Sequence, residues 1–106
     1  MKKEEKIVGE LTAEEIGKLK KQHKIEAVIG IPFKGRIAYI KEPKRNELDY
    51  ALTQAQEGPL KMVDAILETC WVGGDETLKE DHKFIASMMG KTDEILGISS
   101  LTLKNL

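Results

Sequence analysis

A mostly helical α+β fold, with about four helices and one β-hairpin near residues 25–41, is what this 106-residue sequence predicts. Two observations carry it. Two short runs rich in β-branched residues, 25–31 and 36–41, flank the turn-forming Pro32-Phe33-Lys34-Gly35, so they read as paired strands. On both sides of that hairpin, apolar residues recur three and four positions apart, the period of a helix with one buried face. At 106 residues the chain is one domain, 1–106, and it builds one core. Hydrophobic residues are 41% of it and charged residues 33%, which suits a globular chain rather than a disordered one.

The elements follow in order. Thr12-Ala-Glu-Glu15 is a capping box, in which the Thr12 hydroxyl accepts from the Glu15 N–H and the Glu15 carboxylate reaches back. The helix it opens ends near His23 and has a thin apolar face of Leu11, Ile16 and Leu19, so it is expected at the surface. The strand at 36–41 has apolar side chains at Ile37, Ala38, Tyr39 and Ile40, hence on both faces. One face is expected to lie on helices and the other to be available to another chain. Pro43 is expected in the first turn of the next helix, where a missing N–H costs nothing. That helix runs to about Gln56 with Leu48, Ala51, Leu52 and Ala55 on one stripe.

Gly58-Pro59 separates it from a helix over about 60–71 that carries Val63, Ile66, Leu67 and Cys70 on one face. Gly73-Gly74 then reads as the stop, because glycine takes the left-handed conformation of a helix end. One long helix is expected over about 78–96, with Ile85, Met88, Met89, Thr92, Ile95 and Leu96, interrupted at Gly90. Residues 98–106 alternate enough for a short strand or a loose end.

Charge is unevenly spread. Residues 1–45 hold twelve Lys/Arg against seven Asp/Glu, and residues 46–106 hold five against eleven. Opposite halves attract within one molecule, or between copies as self-association. The Lys18, Lys20, Lys21, Lys24 cluster has glutamates around it and no aromatic residue for base stacking, so nucleic acid is not favoured as a partner. The first ten residues lack the apolar core of a signal peptide. No run approaches the ~18 apolar residues of a membrane helix. A single cysteine excludes an internal disulfide and suits a reducing cytoplasm.

No reaction site emerges. Cys70 continues the apolar stripe of its helix and reads as a small buried hydrophobe. A nucleophile would need a base beside it, and His23 and His82 are the only histidines. Cys70 and His82 are too few for zinc. Asp75, Glu76, Glu80 and Asp81 do not follow the ligand pattern of a calcium loop, and read instead as acids at a helix start. Gly-Gly-Asp-Glu, 73–76, lacks the phenylalanine of the diguanylate cyclase signature, and no glycine-rich phosphate loop exists. No catalytic residue, metal or cofactor is expected.

"IAYIKEPKRNELDYAL" followed by "ILETCWVGGDETLKED" and a closing helix resembles, in order and spacing, the small tail assembly chaperones of long-tailed bacteriophages and prophages. The likeness spans residues 37–96, and its most specific points are Pro43, Arg45, Cys70, Trp71, Gly73, Gly74 and Asp75. It implies a non-enzymatic protein of the bacterial host's cytoplasm that binds the long helical tape-measure protein and keeps it soluble until the tail tube polymerises. Many members of that family are made in two forms by a ribosomal frameshift. Pro43, Cys70, Trp71, Gly73, Gly74 and Asp75 are then structural. Tyr39, Ile40, Lys44, Arg45, Met88 and Met89 are the first candidates for contact with a client or another copy. The competing reading is a small regulatory, nucleic-acid-binding or adaptor domain of phage or bacterial origin.

Overall fold

The computed structural model describes residues 7–96 and residue 105. In chain order it has α1 (Ala13–His23), β1 (Val28–Phe33), β2 (Arg36–Lys41), α2 (Arg45–Ala55), α3 (Pro59–Cys70), β3 (Trp71–Gly74), a 3-10 turn (Glu76–Glu80), α4 (His82–Met89) and α5 (Thr92–Leu96). The three strands form one antiparallel sheet in the order β1-β2-β3. The α+β class, with four helices of eight residues or more and a β1-β2 hairpin, is what the sequence predicts.

The α1 capping box is made as read. Thr12 Oγ1 accepts from the Glu15 N–H at 3.1 Å, and Glu15 Oε1 accepts from the Thr12 N–H at 3.0 Å. Lys24 closes the helix in the left-handed conformation. No residue within α1 is fully buried, as its thin apolar face requires.

The hairpin departs from the expected boundaries. Pro32 and Phe33 are strand residues, opposite Ile37 and Arg36, and the turn is only Lys34-Gly35. Both turn residues have positive φ, 47° and 77°, the geometry that matches the right-handed twist of the two strands. The first strand therefore begins at Val28 rather than at residue 25. Pro32 is tolerated because of its register. Ile37, its partner, directs its N–H to the Val8 carbonyl (3.1 Å) and its carbonyl to the Asp75 N–H (2.9 Å), both away from β1. At such a non-hydrogen-bonded position the sheet asks for no donor from Pro32.

The far edge of β2 is served by two segments in turn. Val8 bridges Arg36 in parallel, and β3 pairs with Ala38, Tyr39 and Ile40 in antiparallel. The strand β3 is a correction to the sequence reading. Gly73-Gly74 does not stop a helix. The helix α3 ends at Cys70, Trp71 turns to extended backbone (φ −63°, ψ 127°), and the chain pairs at once with β2. Gly74 is needed there for space. Its φ is 108°, and a Cβ on it would strike the Ile37 carbonyl.

Pro43 is a second correction. The helix α2 starts at Arg45 after Lys44, so Pro43 lies in the connection before the helix and not in its first turn. The expected long helix over 78–96 is a third correction. It is three pieces, because Asp81 interrupts the 3-10 turn and caps α4, accepting from the N–H groups of Lys83 (2.9 Å) and Phe84 (3.2 Å). The chain breaks again between Met89 and Thr92. The expectation for the tail falls on residues outside the described part.

The core lies between the sheet and the helices α3 and α4. Ala38 and Ile40 from β2 meet Val63, Ile66, Leu67 and Cys70 from α3, Leu78 from the 3-10 turn, and Phe84 and Met88 from α4. Ala51 is the one buried residue of α2, while Leu52 of the expected stripe is exposed.

Candidate functional site

The edge strand β1 and the helices α4 and α5 do not close on one another. Between them lies a groove with a cavity volume of about 610 Å³. Ile29, Ile31 and Phe33 of β1 form one wall, half-buried and resting on the core. These side chains share a face because they alternate along the strand. Phe84 and Met88 form the floor, and Phe33 meets Phe84 edge to face with ring centroids 5.5 Å apart at 64°. Ser87 of α4, Lys91 of the connection and Glu94 of α5 follow one another as a polar rim, with Ile95 beneath. Such a concave apolar surface with a polar border is the form of a recognition site.

The residues singled out from the sequence are not brought together here. Ile40 and Met88 are buried at 0% and 1% exposure, and Tyr39 at 5%. The expectation that these three present a contact surface is corrected. Ile40 points into the core. Tyr39 is on the opposite face, but the chain before α1 covers it, and its hydroxyl accepts from the Leu11 N–H at 3.0 Å. Met88 contributes only the groove floor. Met89 is 37% exposed, and Lys44 and Arg45 are exposed. Arg45 borders a shallow depression on α2 with Leu48, Asp49 and Leu52. The groove walls Ile29, Ile31 and Phe33 and the rim Ser87, Lys91 and Glu94 were not singled out. The available signal was Pro32, which inside a β-branched run marks an edge strand.

Cys70 is wholly buried at the end of α3, and burial pushes its thiol pKa up, outweighing the contact with Thr69 Oγ1 at 3.5 Å that acts in the other direction. A raised pKa keeps the sulfur as the unreactive thiol. Among the described residues no three His, Cys, Asp or Glu side chains gather closely enough to hold a metal ion. Trp71 is only partly buried, with Lys79 Nζ 4.7 Å from its ring centre. Gly73 is where Leu11 and Leu19 come down on the sheet, and a Cβ there would lie 3.3 Å from Leu11 Cδ1. Asp75 caps the 3-10 turn, accepting from the Thr77 N–H at 3.0 Å.

Two ion pairs tie the ends of β2 to the helices. Arg36 of β2 reaches Asp81 at the start of α4, 2.5 Å away. Lys41, at the other end of β2, pairs with Glu47 in the first turn of α2. Burial pushes the Glu47 carboxyl up, but its bonds from Lys41 and from the Lys44 N–H outweigh that and leave it below the ordinary value. Among the described residues no helix is long and apolar enough to cross a membrane.

Comparison with protein families, with curated proteins and with solved structures finds no match for this chain.

Proposed function

We propose that this protein is a non-enzymatic binding protein, a tail assembly chaperone that holds the helical tape-measure protein of a long-tailed phage or prophage in the host cytoplasm. The observation that carries the binding reading is the apolar groove beside β1, walled by Ile29, Ile31 and Phe33 and bordered by Ser87, Lys91 and Glu94. An apolar trough with a charged rim suits the apolar stripe of an amphipathic client helix, and many charged groups elsewhere would keep the complex in solution. The buried, unreactive Cys70 favours binding over nucleophilic chemistry. The choice of client rests on the resemblance over residues 37–96.

The test is co-expression with a long helical tail protein from the same genome, affinity purification and light scattering. A soluble complex with several copies per client is the expected result. Ser87→Trp fills the groove from an exposed position without removing a core side chain, and it should lower the copies bound while the melting temperature holds. A client that stays insoluble beside the intact protein overturns the chaperone reading. A complex that Ser87→Trp leaves unchanged removes the groove from it.

A further inference from the structure

Among the described residues nothing hydrogen-bonds to the backbone along the outer edge of β1. Pro32 is a non-hydrogen-bonded partner of Ile37, whose N–H and carbonyl both serve the other edge. Along a strand these directions alternate. Val28 and Gly30 therefore turn their N–H and carbonyl groups outward with Pro32, and among the described residues no strand pairs with them. A row of open backbone groups is a template for another strand.

We propose that β1 pairs with β1 of a second copy, antiparallel, about a two-fold axis through Gly30. Gly30 then exchanges both backbone bonds with the partner's Gly30. Val28 donates its N–H to the carbonyl of the partner's Pro32, so proline stands where its acceptor is used. Its missing donor leaves only the Val28 carbonyl of each copy to water at the rim.

Charge selects this register. It brings Glu26, at the bend before β1, alongside the partner's Lys34 in the turn after it, within the reach of the two long side chains, and the reverse pair likewise. Both residues are exposed. Glu26 lies just before β1 and Lys34 just after it, four positions either side of Gly30. The same register places Ile29 against the partner's Ile31 on the groove face, at the close spacing of a non-hydrogen-bonded pair. Two-fold pairing puts both groove faces on one side of a six-stranded sheet. Six residues of strand edge bury less than the ~800 Å² per partner of a standard interface, so the dimer is weak and concentration-dependent.

Sedimentation velocity over a range of protein concentrations tests the pairing without any client, so its failure is separate from that of the chaperone reading. The mass should rise from 11.9 kDa toward twice that value. Glu26→Lys alone, or Lys34→Glu alone, replaces two attractions by two repulsions and should raise the dimer Kd about tenfold. The double variant Glu26→Lys with Lys34→Glu should recover the wild-type Kd within about twofold. A misfolded single variant would not be rescued in that way. A protein that stays at 11.9 kDa throughout overturns the proposal. So does a dimer indifferent to both single changes, or a double variant no better than the singles.

Discussion

Arg36 and Asp81, 45 residues apart in sequence, meet at 2.5 Å and tie the start of β2 to the cap of α4. Asp81 thereby has two tasks, because its other oxygen accepts from the first N–H groups of that helix. Its carboxyl is held below the ordinary 3.8, first by the Arg36 bond and then by the Phe84 N–H. A depressed pKa stabilises the fold at any pH above the unfolded value, and that contribution is lost as the pH falls through the folded value. Asp81→Asn keeps a capping oxygen but no charge, and Asp81→Ala keeps neither. Thermal melts at neutral pH should rank wild type above Asp81→Asn above Asp81→Ala. The gap between wild type and Asp81→Asn should narrow as the pH falls through that depressed folded value, where the native carboxylate takes up its proton. A constant gap would show that the charge does no work.

The pair Lys41–Glu47 is set deeper, with side chains 9% and 18% exposed. Removing one member leaves the other desolvated and alone. Glu47→Ala should cost about 2–3 kcal/mol in urea unfolding. The double variant Lys41→Met with Glu47→Leu should cost less than Glu47→Ala, because no orphaned charge remains. If the double variant is the worse of the two, the pair contributes net stability rather than specificity of the β2–α2 corner.

Two glycines should respond in opposite directions. At Gly74, φ of 108° and the Ile37 carbonyl both exclude a side chain, so Gly74→Ala should destabilise by about 3 kcal/mol or more. Gly17 lies within α1 with nothing near its missing Cβ, so Gly17→Ala should stabilise by up to about 1 kcal/mol. Chemical denaturation of both variants checks the contrast. A neutral Gly74→Ala would mean that β3 shifts away from β2 at no cost.

Phe84 is 1% exposed and stacked edge to face on Phe33. Phe84→Ala should cost about 3–5 kcal/mol, much of what a domain of this size has. Trp71, half-buried under Lys79, should cost clearly less when truncated. Tryptophan is a common anchor of small cores, so the reverse order in melting temperatures would place the centre of this core nearer β3 than α4.

Cys70 should label slowly with a mild alkylating agent at neutral pH and rapidly after unfolding. Its sulfur is inaccessible, and burial raises its thiol pKa. Fast labelling of the folded protein would return the cysteine to consideration as a reactive group.

Local signals were legible where the structure obeys local rules. The capping box at Thr12 and Glu15, the strand Arg36–Lys41, and the breaks at His23 and Gly58-Pro59 all follow from contacts within a few residues. β3 did not follow from such contacts. Trp71-Val-Gly-Gly74 has weak strand preference and is a strand because β2 offers it hydrogen bonds. The division of residues 76–96 turned on Asp81, one of five acids in that stretch. Only its position opposite Arg36 distinguishes it.

The groove was less legible than the fold. Tyr39 and Ile40 look available in a strand with two apolar faces, yet each is covered by a segment from a different part of the chain, Leu11 on one side and the α3–α4 layer on the other. Burial is a property of what arrives over a face, and a pattern within one element cannot state it. The sequence by itself determined the class, the presence of the hairpin and the capping box of α1, because a tight turn and a cap are decided by side chains a few bonds away. The tertiary structure decided the third strand, the place of Val8 beside it, and the gap between β1 and α4 that makes the groove, because these depend on hydrogen bonds and contacts between segments distant in the chain.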